Sequence, residues 1–417
     1  MIYGCIAEKL THSFSKEIHN RLFDYSYELK EVPQNELDSF MVSKDFKAIN
    51  VTIPYKESVI PYLDWISDTA KKIGAVNTIV NENGFLKGYN TDFFGLTALI
   101  NRYKIELKNK KVLILGSGGT SKTALAVAES LGCASVYRVS RNGNEDCITY
   151  NDAINLHSDA KIIINTTPVG MYPKINVAPI DLNNFPRVLA VIDAVYNPLC
   201  SKLVCDAKNK GITAVGGLYM LVAQAAIAAE KFANTTVSAS EIERVYKEIF
   251  SIKQNVVLIG MPGSGKSTIG KLIAQKTDKI FIDIDDEIVK REQKSIAEIF
   301  ATVGEQEFRK IETEVILSLS TVQNAVIATG GGAILNHINI DLLKENGKIY
   351  FIDRPLEEIV ATDDRPLSSN RSDLEKRYKE RYEIYCSCCD KQIKIGNDPQ
   401  LNMKRVIEDF YNENTCD

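Results

Sequence analysis

A glycine-rich loop in the second half of the chain carries the residue types that bind phosphate groups. Residues 260–267 read Gly-Met-Pro-Gly-Ser-Gly-Lys-Ser, which fits G-x-x-x-x-G-K-[ST] between an apolar run and a helical pattern. Backbone N–H groups of such a loop surround phosphate oxygens, and its lysine reaches the outer phosphates. The predicted nucleotide-binding residues are Gly263, Ser264, Gly265, Lys266, Ser267 and Thr268.

A second glycine loop, at residues 116–119, predicts a different nucleotide site. It follows an apolar strand and opens a helix, as a dinucleotide loop does, although its last glycine comes one place early for G-x-G-x-x-G. A plain glycine-rich turn between strand and helix is the alternative. The predicted cofactor contacts here are Gly116, Ser117, Gly118, Gly119 and Thr120.

The end of the next strand indicates which dinucleotide binds. An enzyme that uses NAD places an acidic residue there for the ribose hydroxyls, whereas this chain has Ser140 and Arg141. A guanidinium pairs with a 2′-phosphate, so the sequence favours NADP, with a merely solvated Arg141 as the alternative.

The elements around these loops predict an α/β protein. Residues 1–107 alternate short strands with helices and contain a hairpin signal at 81–84. Continuous apolar runs then predict buried parallel strands, and they cover residues 112–115, 136–139, 162–164 and 188–195. Two helices, at 218–232 and 240–252, precede the strand at 255–259. A length of 417 residues allows about three folded units.

Composition and charge exclude several classes of protein. The net charge is −4 and neither half has a basic excess, so we expect no nucleic-acid surface. Residues 1–8 lack a basic leader with an apolar core, and residues 218–229 are too few to span a bilayer, which predicts a cytoplasmic protein without membrane contact. Nine scattered cysteines fit reduced thiols, and the C-x-x-C of Cys386 and Cys389 has no second pair for zinc.

Five motifs in the first part of the chain resemble the shikimate dehydrogenase family over residues 1 to about 250. They are Ser-Phe-Ser at 13–15, Asn-Val-Thr-Ile-Pro-Tyr-Lys at 50–56, Gly-Ala-Val-Asn-Thr at 74–78, Asn-Thr-Asp at 90–92 and Met-Leu-Val-Ala-Gln at 220–224. The family reduces 3-dehydroshikimate to shikimate with NADPH, so the resemblance implies this activity.

The same resemblance implies site residues. Lys56 and Asp92 are the expected catalytic pair, because an ammonium held by a carboxylate can supply a proton to a carbonyl oxygen without a metal. Gly217 is an expected cofactor contact. The expected substrate contacts are Ser13, Ser15, Thr52, Asn77, Tyr196 and Gln224. Tyr89 and Phe93 depart from the family pattern, and quinate stays an alternative substrate.

Motifs after the phosphate loop resemble the shikimate kinase family over residues 255–417. They are Asp283 and Asp285, predicted on the same side at the end of a strand, residues 304–309, the triple glycine at 330–332, residues 364–367, and Arg381 on a charged helix. The residues at 382–385 depart from the family pattern, which often has Pro-Leu before Tyr.

The kinase resemblance implies a role for each motif. Asp285 holds the 3-hydroxyl and acts as base, while Ser267 and Asp283 hold magnesium. Lys266 and Arg365 stabilise the transferring phosphoryl group of ATP. The expected contacts of the substrate are Arg309, Gly331, Gly332 and Arg381, in which two guanidiniums bind the carboxylate.

The sequence therefore predicts a bifunctional enzyme with three folded parts. They are a substrate-binding lobe at 1–107, to which the helices of 218–252 return, a Rossmann-like NADP lobe at 108–217, and a P-loop kinase domain with a parallel sheet at 255–417. One alternative is an enzyme whose first half acts on quinate or on a broader range of polyol acids. Its second half would be a nucleoside monophosphate kinase or a sugar-acid kinase. Another is a ligand sensor that has lost catalysis. A homo-oligomer is left open.

Overall fold

The computed structural model describes residues 2–10, 13–143, 146–359 and 371–413. The chain divides into two compact units, Met1–Ile249 and Phe250–Asp417. No helix in the described ranges is long and apolar enough to cross a membrane. The predicted division of the first unit into two lobes stays a prediction.

The first unit begins with a mixed six-stranded sheet in the order β2-β1-β3-β5-β6-β4. Its strands β1, β2 and β3 are parallel, and β5 runs antiparallel to both β3 and β6. The hairpin predicted at 81–84 is confirmed. The elements are β1 (Tyr3–Ala7), α1 (Ser15–Leu22), β2 (Tyr27–Glu31), α2 (Leu37–Ser43), β3 (Ala48–Val51), β4 (Trp65–Ile66), α3 (Asp68–Ile73), β5 (Thr78–Glu82), β6 (Phe85–Tyr89) and α4 (Asp92–Arg102).

A second sheet of the same unit is wholly parallel, in the order β12-β11-β10-β7-β8-β9. Its central strands are buried on both faces, which explains their continuous apolar runs. The elements are β7 (Lys111–Leu115), α5 (Gly119–Ser130), β8 (Ser135–Ser140), β9 (Ile148–Thr149), α6 (Tyr150–His157), β10 (Ile162–Asn165), β11 (Ala190–Asp193), α7 (Lys202–Asn209), β12 (Thr213–Val215), α8 (Leu218–Ala233) and α9 (Ala239–Lys253).

Helix α8 packs against α4 and α1, which belong to the first part of the chain. The approach to α4 is close because residue 95 is glycine. A Cβ atom there would lie 2.6 Å from the Met220 carbonyl oxygen and 2.8 Å from Cβ of Gln224. This packing brings Gln224 of α8 to the amino end of α4, where Asp92 lies.

The second unit is a parallel five-stranded sheet in the order β14-β15-β13-β16-β17 with helices around it. The prediction of mixed α/β architecture with parallel sheets is confirmed. Helix α12 is kinked at Gly304, whose φ is 77°. The elements are β13 (Asn255–Ile259), α10 (Lys266–Thr277), β14 (Ile280–Asp283), α11 (Ile284–Glu292), α12 (Ile296–Leu319), β15 (Ala325–Ala328), α13 (His337–Asn346), β16 (Gly347–Asp353), α14 (Arg371–Cys388), β17 (Lys391–Lys394) and α15 (Pro399–Glu413).

One local prediction is wrong. Asp283 and Asp285 do not both end a strand, because β14 stops at Asp283 and α11 begins at Ile284. The Asp283 carboxylate caps this helix by accepting a hydrogen bond from the backbone N–H of Asp285 at 3.1 Å. Asp285 therefore lies in the first helical turn.

Candidate active sites

A buried ion pair lies at the centre of the first unit. Lys56 follows β3, Asp92 opens α4, and Lys56 Nζ lies 2.6 Å from Asp92 Oδ2. Both side chains are largely buried, with exposed fractions of 12% and 8%. Asp92 lies in the first turn of α4, where a carboxylate interacts favourably with the helix dipole, and it holds the ammonium through the ion pair. The pair can deliver a proton in a site with little water.

The second glycine loop lies beside this ion pair. Lys56 Nζ also donates a hydrogen bond to Thr120 Oγ1 at 3.3 Å. A Cβ atom at Gly119 would lie 3.4 Å from Cβ of Lys56. The residues predicted to bind the cofactor and those predicted to move the proton therefore share one site.

The shape of this loop fits a dinucleotide. Gly116 has a φ of 122°, and a Cβ atom there would lie 2.5 Å from Thr166 Oγ1, so the tight turn requires glycine. A Cβ atom at Gly118 would meet nothing within 4 Å, which leaves that face of the loop open. Ser117 is exposed, and α5 starts at Gly119 with its N–H groups towards the loop. The loop follows β7, between strands β8 and β10 of the sheet, at the point where the strand order reverses.

Three further predicted cofactor contacts lie at or just after the ends of strands β8 and β12. Ser140 ends β8, where its Oγ accepts a hydrogen bond from the N–H of Gly143 at 3.2 Å. Arg141 comes next and is exposed, which leaves its guanidinium accessible to an anion. Gly217 packs tightly, since a Cβ atom there would lie 2.3 Å from the Ala194 carbonyl oxygen.

A network of buried amides and hydroxyls surrounds the amino end of α4. Asn77 Nδ2 donates hydrogen bonds to Thr91 Oγ1 at 3.0 Å and to Gln224 Oε1 at 3.4 Å. Thr91 Oγ1 also donates to Gln224 Oε1 at 3.3 Å. These mutual hydrogen bonds fix the orientation of the amide and hydroxyl groups, and preoriented polar groups suit recognition of a ligand with several hydroxyls.

The other predicted substrate residues of the first unit lie in loops or, in the case of Ser15, at the start of α1. Ser13 Oγ accepts a hydrogen bond from the N–H of Ser15 at 3.3 Å. Thr52 follows β3, and its N–H donates to the Ile6 carbonyl at 3.1 Å. Tyr196 packs edge-on against Phe14, with ring centroids 5.2 Å apart. Burial raises the pKa of Tyr196 to about 12, so its phenol stays protonated and can donate a hydrogen bond.

The two residues that depart from the family pattern contact other parts of the fold. Tyr89 packs edge-on against Trp65, with ring centroids 5.5 Å apart. Phe93 packs with Ile73, Ala75 and Ala126.

In the second unit, Lys266 lies inside the phosphate loop. Its Nζ donates hydrogen bonds to the carbonyl oxygens of Gly260 and Met261 at 2.9 and 3.0 Å, and only 7% of the residue is exposed. Ser264 is fully buried, and its Oγ is a polar atom without a hydrogen-bond partner in the described residues. Gly263 and Gly265 have φ values of 80° and 94°, and these left-handed conformations favour glycine. The loop therefore fits a nucleotide phosphate.

The donor set beside this loop fits magnesium. Ser267 Oγ donates a hydrogen bond to Asp283 Oδ2 at 2.6 Å. A hydroxyl and a carboxylate are oxygen ligands of the kind that magnesium prefers together with phosphates and waters. Thr268, the next residue of α10, is exposed.

Carboxylates from α11 and α12 meet at the triple glycine. A Cβ atom at Gly330 would lie 2.8 Å from Glu312 Oε1 and 2.9 Å from Asp285 Oδ1, so only glycine leaves room there. Burial, and then the nearby Asp283, raise the pKa of Asp285. A raised pKa makes this carboxylate a stronger base than an exposed aspartate.

The two predicted carboxylate-binding arginines hold positions on either side of the triple glycine. Arg309 Nη1 donates to Glu312 Oε2 at 2.7 Å, and a Cβ atom at Gly332 would lie 2.1 Å from Arg309 Nη2. Arg381 is only 5% exposed, and its Nη1 donates to the Gly331 carbonyl at 3.1 Å. Both guanidiniums therefore contact the backbone of one loop. The predicted Arg365 lies outside the described residues.

Relatives of the chain identify the first unit. A family model for the shikimate dehydrogenase substrate-binding domain matches residues 5–79. The NADP(+)-dependent shikimate dehydrogenase of Clostridium beijerinckii is 41% identical over 248 residues, which are 55% of this chain and 90% of the relative. The chain belongs to the shikimate dehydrogenase family. A second relative of the same description, from Methanosphaera stadtmanae, is 37% identical and covers 58% of this chain and 95% of its own.

A family model for shikimate kinase matches residues 262–411. The chain is therefore a fusion of a shikimate dehydrogenase with a shikimate kinase domain, and the fusion inferred from the motifs is confirmed.

Solved structures resemble the dehydrogenase part. A chorismate mutase/shikimate 5-dehydrogenase fusion protein from Clostridium acetobutylicum has a TM-score of 0.56 and 35% identity, and the match covers 60% of this chain and 96% of that one. The shikimate 5-dehydrogenase of Thermus thermophilus, solved with NADP(H) and shikimate, has a TM-score of 0.54 and 28% identity, over 60% of this chain and 99% of that one.

A buried acidic group that the sequence analysis missed lies three residues before Tyr196. Asp193 ends β11, is fully buried, and accepts hydrogen bonds from Asn165 Nδ2, Ser201 Oγ and the N–H of Val195 at 2.9, 2.6 and 2.9 Å. Burial raises its pKa to about 6. Its position at a strand end just before Tyr196 was the available signal.

The kinase domain contains two further residues that the sequence analysis missed. Glu312 is fully buried and forms an ion pair with Arg309. The sequence signal for this pair was the spacing of three residues between them on one helix, which places the two side chains on the same face. Tyr385 OH donates to the Gly331 carbonyl at 2.6 Å, alongside Arg381 one helical turn earlier. Nothing in the sequence alone indicated that contact.

Proposed function

We propose that the two units act in sequence on one hydroxylated ring acid. The first reduces 3-dehydroshikimate to shikimate with NADPH, and the second phosphorylates shikimate to shikimate 3-phosphate with ATP and magnesium. The observation that carries this proposal is the buried Lys56–Asp92 pair beside an open dinucleotide loop, in a chain that also has a complete phosphate loop facing Asp285.

The chemistry of the ring links the two reactions. Reduction of the C3 carbonyl creates the 3-hydroxyl, and that hydroxyl is the acceptor of the phosphoryl group. 3-Dehydroshikimate has no acceptor at C3, so phosphorylation has to follow reduction. The product of the first unit is then the substrate of the second.

In the reduction, bound NADPH supplies a hydride to the carbonyl carbon. Lys56 donates a proton to the carbonyl oxygen, and Asp92 holds the ammonium in place and stabilises its charge. Asn77, Thr91 and Gln224 bind ring hydroxyls, because their amides and hydroxyls are already oriented in one buried network. Ser13, Ser15, Thr52 and Tyr196 complete the pocket with hydroxyls that suit the carboxylate and the remaining hydroxyls. Arg141 and Ser140 hold the 2′-phosphate end of the cofactor, and Gly217 leaves room beside it.

In the phosphorylation, Asp285 accepts the proton of the 3-hydroxyl as the oxygen attacks. Arg309 and Arg381 bind the ring carboxylate, for which Gly331 and Gly332 leave space. ATP with magnesium supplies the phosphoryl group. Lys266 donates hydrogen bonds to its phosphates, and Ser267 and Asp283 are the residues that hold the metal ion. Arg365 is proposed to add positive charge there.

A panel of ring acids tests this assignment. The purified full chain should oxidise NADPH with 3-dehydroshikimate and transfer a phosphoryl group from ATP to shikimate. Quinate in the reverse oxidation and nucleoside monophosphates or sugar acids in the kinase assay are the alternatives. Equal or faster turnover with any of them, or no turnover with the shikimate pair in a folded protein, would contradict the proposal. A cytoplasmic location, the absence of a nucleic-acid partner and a homo-oligomer stay predictions.

A further inference from the structure

Two cysteines lie side by side at the start of α7 in the dehydrogenase unit. The Sγ atoms of Cys200 and Cys205 are 2.8 Å apart, and Cys205 Sγ also donates to the Cys200 carbonyl at 3.6 Å. A disulfide bond has an S–S distance of about 2.05 Å. The two sulfur atoms therefore need to approach by less than about 1 Å to form one.

The two thiols differ in access to solvent. Cys200 is half-buried and comes directly before Ser201, which caps the amino end of α7, whereas Cys205 is only 9% exposed inside the first turns of that helix. A thiolate at a helix amino end is stabilised by the helix dipole. Oxidation-sensitive pairs have such an arrangement, with one accessible thiol and a second thiol next to it that resolves the first product.

We propose that Cys200 and Cys205 form a reversible disulfide through exchange with a small disulfide such as oxidised glutathione. The Cys200 thiolate attacks one sulfur of the oxidant, which releases one reduced glutathione and leaves a mixed disulfide at Cys200. The Cys205 thiolate then attacks the Cys200 sulfur and releases the second reduced glutathione. Two protein thiols are oxidised, one small disulfide is reduced, and the two protons pass to the released thiolates.

The cross-link would fasten a segment that the dehydrogenase site uses. Ser201, which lies between the two cysteines, donates the 2.6 Å hydrogen bond to buried Asp193. The carbonyl oxygen of Leu199 approaches Gly216 so closely that a Cβ atom there would lie 2.7 Å away. The disulfide would thus close a short loop beside the residues that follow Tyr196 and precede Gly217.

The kinase domain offers a matched pair for comparison. Cys386 and Cys389 form the C-x-x-C motif, and Cys389 Sγ donates to the Cys386 carbonyl at 3.5 Å. Burial raises the pKa of both thiols, which lowers the fraction of reactive thiolate. We therefore expect Cys200 and Cys205 to react first, although the sequence motif is on the other pair.

Peptide mapping of the oxidised full chain tests the proposal. Lys202 lies between the two cysteines, so trypsin places Cys200 in peptide 188–202 and Cys205 in peptide 203–208. After graded treatment with oxidised glutathione, blocking of remaining thiols and digestion without reductant, these two peptides should be recovered as one linked species. Dithiothreitol should separate them again. In the same digest, peptide 382–391 contains Cys386, Cys388 and Cys389, and fragmentation of this peptide shows whether Cys386 and Cys389 are linked.

Single substitutions test the order of the two steps. Cys205→Ser should accumulate glutathione on Cys200, because the resolving thiol is gone, whereas Cys200→Ser should take up several-fold less on Cys205. Recovery of 188–202 and 203–208 as separate peptides from the oxidised wild type would overturn the proposal. So would a linked 188–202 and 203–208 species that forms more slowly than the Cys386–Cys389 bond. The wild-type digest decides this even if a variant fails to fold.

Discussion

The two active sites differ in the partners that hold their charged groups. In the dehydrogenase unit the cation and the anion hold each other, with Lys56 Nζ 2.6 Å from Asp92. In the kinase domain Lys266 and Arg381 are held by backbone carbonyls, and Arg309 by Glu312. In the first site the proposed proton donor, Lys56, is thus already paired with its counter-ion. The second keeps its cations on local acceptors that an anionic ligand has to share or replace.

Replacing Lys266, the cation of the phosphate loop, should have the largest effect, and this effect should be confined to the kinase activity. Lys266→Ala is expected to lower the rate of shikimate phosphorylation by about 10³-fold, because a preorganised positive charge beside the phosphates is lost. Reduction of 3-dehydroshikimate should be unchanged. Lys276→Ala, on the exposed face of the same helix, is the control and should keep both rates. Loss of both activities in folded Lys266→Ala would contradict independent sites.

Replacing Lys56 in the first unit should have the converse effect and lower only the dehydrogenase activity. Lys56→Ala removes the proton donor and is expected to lower kcat for reduction by about 10²- to 10⁴-fold. Phosphorylation of added shikimate should stay at the wild-type rate, since its residues lie in the second unit. Lys71→Ala replaces an exposed lysine of α3 and should leave reduction intact. A Lys56→Ala protein that still reduces the substrate at the wild-type rate would exclude this residue as the donor.

A conservative change of Arg381, which is held by the Gly331 carbonyl, tests whether this cation binds the substrate. Arg381→Lys keeps the charge but loses the planar fork, so KM for shikimate should rise by about 10- to 100-fold, while KM for ATP stays the same. Steady-state kinetics with each substrate varied in turn measure this effect. Lys379→Ala on the exposed part of α14 is the matched control. An increase confined to KM for ATP would place Arg381 at the nucleotide instead.

The dehydrogenase cofactor provides a smaller test. Arg141→Ala should lower the preference for NADPH over NADH by about tenfold, because one exposed charge-assisted hydrogen bond is lost. The ratio of kcat/KM for the two cofactors measures the preference. Arg187→Ala, which precedes β11 at the other end of the sheet, should keep it. An unchanged ratio in Arg141→Ala would mean that this guanidinium is only solvated.

Acid should weaken the first unit through a group absent from the second. His19 is fully buried, and burial lowers its pKa to about 3, whereas the second unit has only the exposed His337. Below pH 6.5 the unfolded chain gains a proton that folded His19 does not, so stability falls as the pH falls towards 3. The contribution is about 1.4 kcal/mol between pH 7.5 and 5.5.

Denaturant unfolding of wild type and His19→Gln at these two pH values measures that contribution. The variant should lack the loss of about 1.4 kcal/mol. An equal loss in both proteins would mean that other groups cause it.

Local sequence patterns predicted the loops and most elements of the fold. The strand at 255–259 matches β13, and the buried parallel runs at 112–115 and 162–164 match β7 and β10 within one residue. Such features depend on neighbours in sequence. The hydrogen bond between Asn77 and Gln224 spans 147 residues and was not predicted. The family resemblance implied each residue only as a substrate contact, and the packing of helix α8 brings the two together.

The failures have a physical cause too. Asp283 and Asp285 have the spacing of one strand face, yet the carboxylate of the first caps the helix that starts between them. Arg381 was predicted as a substrate contact from the family resemblance, but the charged run around it gave no sign that the residue is buried against Gly331. The cap is a local contact that competes with the strand pattern, whereas the burial of Arg381 depends on tertiary neighbours, and alternation of polar and apolar residues encodes neither.

Isotope transfer through both units tests most directly whether the same ring visits both sites. The full chain is supplied with 3-dehydroshikimate, NADPH deuterated at the transferred hydrogen, ATP and magnesium, and the products are resolved by mass. The account predicts that shikimate 3-phosphate carries one deuterium and that Lys56→Ala forms phosphorylated product at least about 100-fold more slowly from the same mixture. Phosphorylated product without deuterium, or deuterated shikimate that is never phosphorylated, would contradict it.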